Sequence, residues 1–115
     1  MAIITGTFNA GTPISNVIDI GNAQPLVLIM PDDWTQPANL KCLYSPDSTN
    51  FYQLYHGGKE WIAPCVPKSA WVLDVNLWPK ASFIRLVSVF GGQEVNQEEE
   101  RVFQIITNQG VVNAD

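Results

Sequence analysis

The sequence predicts an all-β fold: about eight short antiparallel strands in a two-sheet sandwich, with a jelly roll as the expected topology and an extended N-terminal arm. Three observations predict it. Short runs rich in β-branched and aromatic residues recur at 26–30, 39–45, 50–55, 82–90 and 101–107. Turn chemistry separates them, as in Pro31-Asp32-Asp33, Pro46-Asp47-Ser48-Thr49, Gly57-Gly58 and Gly91-Gly92. No segment has the uninterrupted helical period that a long helix needs.

Residues 1–13 are expected to form the arm, an extended or edge segment with irregular ends. Ile3, Ile4 and Phe8 within it need apolar partners, in this domain's own core or on a neighbouring subunit. The sandwich domain is expected over 14–107 and a polar tail over 108–115. Ile14, Asn16, Ile18 and Ile20 alternate with Ser15, Val17 and Asp19, which suits a half-buried strand at 14–20. Leu26-Val27-Leu28-Ile29-Met30 is apolar on both faces, which places 26–30 in the middle of a sheet. Pro31 and the two Asp residues stop it. Pro37 leaves room for only one helical turn within 32–38, and Trp34 is expected to plug the end of the core through that corner.

Leu40, Cys42 and Tyr44 share a face of the strand at 39–45, and the bulky 50–55 strand returns from the Pro46–Thr49 turn. His56-Gly57-Gly58-Lys59 reads as a tight turn, because its glycines accept positive φ. Pro64 forfeits an amide and makes 60–66 an edge strand. Trp71, Leu73 and Val75 share a face at 70–75, and Leu77 and Trp78 are loop anchors after it. In 82–90, Ile84, Leu86 and Phe90 oppose Phe83, Arg85, Val87 and Val89. Both faces are apolar enough for one to pack inside and the other to meet a partner, with Arg85 needing water or a carboxylate.

Composition bounds the function. The 115 residues suit a single domain, and charged residues make up 15% against the roughly 25% usual for globular chains. The net charge is −5, and five of the six basic residues, Lys41, Lys59, Lys68, Lys80 and Arg85, are dispersed through the middle of the chain. A phosphate backbone needs a clustered basic array, so direct contact with nucleic acid is not expected. No apolar run approaches the roughly 20 residues of a membrane span, and the first residues do not resemble a secretory signal. A membrane partner is therefore not expected.

Chemistry is equally sparse. One histidine and two cysteines do not supply an organised zinc set. Cys42 and Cys65 read as buried thiols, although a disulfide between strands remains geometrically open. Asp32, Asp33, Glu60 and Asp74 offer no defined carboxylate pair, and the glycine pairs lack the strand–loop–helix setting of a phosphate loop. Glu98-Glu99-Glu100 reads as a solvated turn, with a basic protein patch as its functional alternative. The chain is expected to be no enzyme and to use no metal or cofactor.

A family resemblance adds to this. The residues that carry it are Ile14–Gly21, Ile29-Met30-Pro31-Asp32-Asp33-Trp34, Ala38–Asp47, Phe51–Tyr55, Phe83–Ser88, Glu94-Val95-Asn96-Gln97 and Arg101-Val102-Phe103. Over roughly 14–107 their order resembles the small β-sandwich head decoration (cement) and spike-base proteins of tailed phages and gene transfer agents. The Pro46–Thr49 turn, where relatives often have Asp-Gly, and the two cysteines depart from that pattern. The resemblance implies a virion protein, made in the host cytoplasm, that binds the outer surface of an icosahedral capsid and stabilises capsomer junctions. It implies the major capsid protein and copies of the chain itself as partners, with a head fibre or spike protein as a further one. Candidate interface residues are Ile3, Ile4, Phe8, Trp34, Trp78 and Arg85. The alternative reading is a carbohydrate- or host-surface-binding module of a fibre, spike or tail.

Overall fold

The last apolar segment shows where the core lies. Along β12 (Arg101–Thr107), Phe103, Ile105 and Thr107 are buried while Val102 is exposed, the period of two that a half-buried strand requires. In the computed structural model, which describes residues 2–21, 23–64, 66–73 and 82–108, β12 lies between two antiparallel neighbours. On one side is β1 (Ala2–Phe8), on the other β3 (Pro25–Ile29), and β9 (Ala70–Val72) completes the order β1-β12-β3-β9, here sheet I. Gly6 faces Phe103 across the β1–β12 ladder, and a Cβ there would collide with the Phe103 ring. Only glycine leaves room for the far end of the ring at that point.

Sheet II is built on β10 (Ser82–Phe90) and β4 (Asn39–Ser45), paired from Phe83 with Ser45 to Val89 with Asn39. β5 (Tyr52–Gln53) and β8 (Ile62–Ala63) both pair with β4. β2 (Ile18–Gly21) and β11 (Gln93–Glu94) pair with β10. A separate hairpin of β6 (Tyr55–His56) and β7 (Lys59–Glu60) turns through Gly57 and Gly58 at φ 62° and 79°, the positive values a two-residue hairpin turn demands. Between the sheets, Phe8, Leu28, Phe103 and Ile105 meet Ile18, Ile20, Leu40, Cys42, Ile84 and Leu86 in one apolar cluster. The chain is thus an all-β protein whose two antiparallel sheets form a sandwich-like globule.

The strands at 39–45, 82–90 and 101–107 have the expected bounds, and 26–30 is central as expected, shifted to Pro25–Ile29. Elsewhere the expected strands are interrupted. The 50–55 and 60–66 segments break at Leu54 and Trp61, where the Trp61 amide donates to the Leu54 carbonyl and the Leu54 amide to the Cys42 carbonyl. The 14–20 segment is a strand only from Ile18, because Ser15 is drawn in to bond Leu86. No helical turn forms within 32–38. Instead Trp34 is buried, donating from Nε1 to the Ala38 carbonyl at 3.1 Å and packing edge-on to Phe8.

The first residues belong to the sandwich. Ala2–Phe8 pairs along its whole length with β12, the Thr7 amide donates to Asn16 Oδ1 while the Asn16 amide donates to the Thr7 carbonyl, and the Ser88 amide donates to the Pro13 carbonyl. At the other end Asn108 is bonded to Gln24. Cys65, Asp74, Val75, Leu77, Trp78, Lys80 and the tail beyond Asn108 lie outside the described residues.

Candidate functional site

Each sheet buries one face in the core, so function that does not lie in a pocket must use the two outer faces, the edges or the loop ends. On sheet I the outer positions follow directly from register, because residues paired across antiparallel strands point to the same side. One row runs Ile3–Ile106–Val27–Val72 across all four strands. The next runs Thr5–Gln104–Ile29–Ala70, and Thr7–Val102 extends the face further. None of these side chains is charged, although the chain carries 17 acidic and basic residues (11 + 6). Ile3 is 59% exposed, Val102 44% and Val72 87%, while Val27, Ile29 and Ile106 are half-buried. Contiguous apolar surface of this kind on an outward-facing sheet is where contact sites are commonly found.

The outer face of sheet II is different. Its rows are Asp19–Phe83–Ser45, Arg85–Leu43–Gln53, Ile14–Val87–Lys41–Ile62 and Glu94–Val89–Asn39. Val87 and Val89 are buried although they lie outside the inter-sheet cluster. Arg85 donates from Nε to the Ser15 carbonyl at 2.9 Å and sits 5.9 Å from the centre of the Phe51 ring. Gln53 donates to the Glu60 carboxylate. A cleft of about 270 Å³ opens among Asn39, Lys41, Gln53, Glu60, Ile62 and Val89. This face is mixed in charge and largely occupied by its own side chains.

A second groove, of about 240 Å³, runs where the sheet edges meet, lined by Trp61, Ile62, Ala63, Pro64, Trp71, Val72 and Leu73. Trp71 Nε1 donates to Ser69 Oγ. Its lining side chains are apolar or indole, and it shares Val72 with the stripe on sheet I, so the apolar surface continues around the edge.

Among the described residues, Cys42 and Asp47 are reactive groups held in structural roles. Cys42 is a buried free thiol, and burial pushes its pKa up to about 12, which keeps the nucleophilic thiolate out of reach at neutral pH. Asp47 accepts from the Thr49 and Asn50 amides, from Asn50 Nδ2 and from Ser45 Oγ, and these bonds hold its carboxyl well below the usual range. All four donors come from its own turn, which makes the carboxylate a turn-former. Among the described residues no three His, Cys, Asp or Glu side chains come together as a metal site, and no helix is long and apolar enough to cross a membrane.

The six candidate interface residues are not brought together. Ile3 lies in the sheet I stripe, and Ile4 turns the other way and packs half-buried against the core. Phe8 and Trp34 are buried, their ring centroids 5.2 Å apart, and their apolar surface is already used within the domain. Arg85 is on the outer face of the other sheet, and Trp78 lies outside the described residues. The stripe residues Val27, Ile106 and Val72 were missed as a site. Their signal, apolar residues on both faces of 26–30 and 101–107, is present in the sequence, but only the register lines them up.

A buried polar hub was also missed. Gln97 is fully buried and donates from Nε2 to Ser88 Oγ, while its Oε1 accepts from the Thr35 amide and from Arg101 Nε. Its backbone bonds Gly11 and Thr12. It ties β10, the Trp34 corner and the start of β12 together.

No protein-family model matches the chain, and neither curated proteins nor solved structures give a significant match.

Proposed function

We propose that the chain is a static structural protein that docks through the outer face of sheet I onto a protein assembly, and that this assembly is the outer surface of an icosahedral phage head. The observation that carries the docking reading is the uncharged aliphatic stripe Ile3–Ile106–Val27–Val72 on a chain of net charge −5. Left in water, each Å² of such surface costs about 25 cal/mol relative to burial. A shell that offers a complementary apolar patch recovers this free energy only when assembled, so binding stabilises the assembled state by linkage. Repetition around a shell multiplies the effect. The phage-head part of the proposal is supported by the sequence resemblance alone. With it come the major capsid protein and copies of the chain as partners, a head fibre or spike protein as a further one, the virion surface as location, and synthesis in the host cytoplasm. The jelly-roll topology belongs to the same proposal. Its support is that strands remote in sequence are neighbours, β1 with β12 and β4 with β10.

A glycan-binding module is less well supported. The Trp34 ring, on which a sugar would need to stack, is buried, and the Trp61–Trp71 groove has few side chains to hydrogen-bond a sugar's hydroxyls. The test is binding of the purified protein to heads that lack it, followed by sedimentation and shell disassembly on heating. Docking should raise the disassembly temperature, and Val72→Asp should weaken it at least about tenfold by burying a charge. Unaltered heads, or docking indifferent to Val72→Asp, would sink the proposal.

A further inference from the structure

The edge of sheet I carries a separate consequence. β1 ends the sheet order, so one side of its backbone faces β12 and the other faces outward. The direction of each group follows from Thr7, whose amide donates to Asn16 Oδ1 and whose carbonyl accepts from the Asn16 amide. Thr7 therefore points its backbone away from β12. Alternate residues of an antiparallel strand point the same way, so Ile3 and Thr5 also present their amide and carbonyl outward. No described residue bonds those outward groups, and both residues are exposed. Exposed edges are usually blunted by lysine, proline, a bulge or an inward charge. Ala2–Phe8 has none of these.

We propose that β1 is a seam between two copies of this chain, joined antiparallel about a two-fold axis at Ile4 so that the two sheets I become one. The register follows from which groups are open. Pairing Ile3 with the partner copy's Thr5, and Thr5 with its Ile3, uses every outward group of both residues in four hydrogen bonds. A register that pairs Thr5 with Thr5 would set Ile3 against Thr7, whose groups Asn16 already holds. At the centre the two half-buried Ile4 side chains meet as a non-hydrogen-bonded pair, where antiparallel side chains approach closest. A second copy fits this edge because its open groups are self-complementary about a two-fold axis, and charge does not oppose the meeting there. Two chains of net −5 repel over most of their surfaces, but β1 and the sheet face beside it carry no charge. The joined sheet also doubles the aliphatic face. From the functional reading the seam takes only the expectation that copies associate, since it uses the strand edge and not the sheet face.

The experiment is sedimentation velocity from about 1 to about 200 µM, with backbone hydrogen exchange read at Ile3 and Thr5. The mass should rise with concentration from 12.7 kDa toward twice that value, and both amides should gain protection as it does. Thr5→Pro removes one outward donor from each copy, hence two of the four bonds, while leaving the β12 ladder intact, since proline is tolerated where an edge amide faces solvent. It should weaken association roughly 30-fold. A mass fixed at 12.7 kDa, or Ile3 and Thr5 amides that stay unprotected in the dimer, would overturn the seam. These readouts on the unaltered chain stand even where Thr5→Pro fails to fold. Undiminished association by folded Thr5→Pro overturns the seam alone, whereas head binding indifferent to Val72→Asp overturns only the docking reading.

Discussion

The two outer faces of this sandwich begin from similar sequence patterns and end differently. On sheet I, Ile3, Ile106, Val27 and Val72 form an uncharged row left to the outside, with Val72 87% exposed. On sheet II, Val87 sits between Ile14 and Lys41 in an equivalent row yet is 1% exposed. There Arg85 is bonded to Ser15 and lies by Phe51, and Gln53 is bonded to Glu60. The lesson is that an apolar residue on a solvent-side strand position is not in itself a site. It becomes a candidate only where the described residues supply no cover.

The largest effect comes from placing the same substitution on both faces. Val87→Asp puts an unpaired carboxylate into a buried position and should cost more than about 3 kcal/mol, while Val72→Asp should cost less than about 1 kcal/mol. Urea unfolding of the two variants reads the difference. Equal losses would mean that the face of sheet I is as closed as that of sheet II, and the comparison would fail.

Arg85→Ala probes what the cover of sheet II contributes. It removes a charge-assisted bond to the Ser15 carbonyl and a cation–π contact at 5.9 Å, together about 1–2 kcal/mol. Unfolding midpoints measure this. A neutral result would show that Arg85 is an ordinary surface cation and return it to the pool of interface candidates.

How much of this could be read from the sequence depends on where the deciding partner lies. The strands 39–45, 82–90 and 101–107 were legible because alternation is a local property, and their bounds agree with the structure. The breaks at Leu54 and Trp61 were not, since Leu54 is where the segment passes from its register with β4 to the β6–β7 hairpin, a change of partner that no local pattern marks. In the sequence Gln97 shows no sign of burial beyond its place in the 94–97 segment of the resemblance. Its burial is decided by Thr35, which is 62 residues away, and by Ser88 and Arg101, which no local pattern announces. The burial of Trp34 was legible from its Pro-rich corner. The stripe was half legible: 26–30 showed apolar residues on both faces, but the alignment of Val27 with Ile106, Ile3 and Val72 is a matter of register.

The faces should also respond differently to acid. The outer positions of sheet I carry no titratable group, whereas sheet II ends at the Asp47 turn. Hydrogen bonds from Asn50 and Thr49 hold the folded Asp47 carboxyl below its usual 3.8. A depressed carboxylate contributes stability that is present above the unfolded value and is lost as pH falls below 3.8 toward the folded value. Urea midpoints between about pH 5 and pH 2 should therefore fall less steeply for Asp47→Asn than for the unaltered chain. Parallel slopes would show that the turn's bonds do not discriminate between the protonation states.

The smallest expected change is in the salt dependence of the proposed docking, and it decides between two surfaces. Contact through the uncharged face of sheet I has no Coulombic component to screen, so affinity for heads should vary less than about threefold between 0.05 and 0.5 M NaCl. Sulfate, which favours apolar burial, should strengthen it. The exposed Glu98-Glu99-Glu100 run is the charged rival, a natural ligand for a basic shell patch. Docking through that run would weaken steeply over the same range, because exposed charges separated by more than roughly 8–10 Å lose most of their attraction at moderate salt. A steep loss with salt would thus move the contact from the sheet face to the loop before β12, and Val72→Asp would then leave docking unchanged.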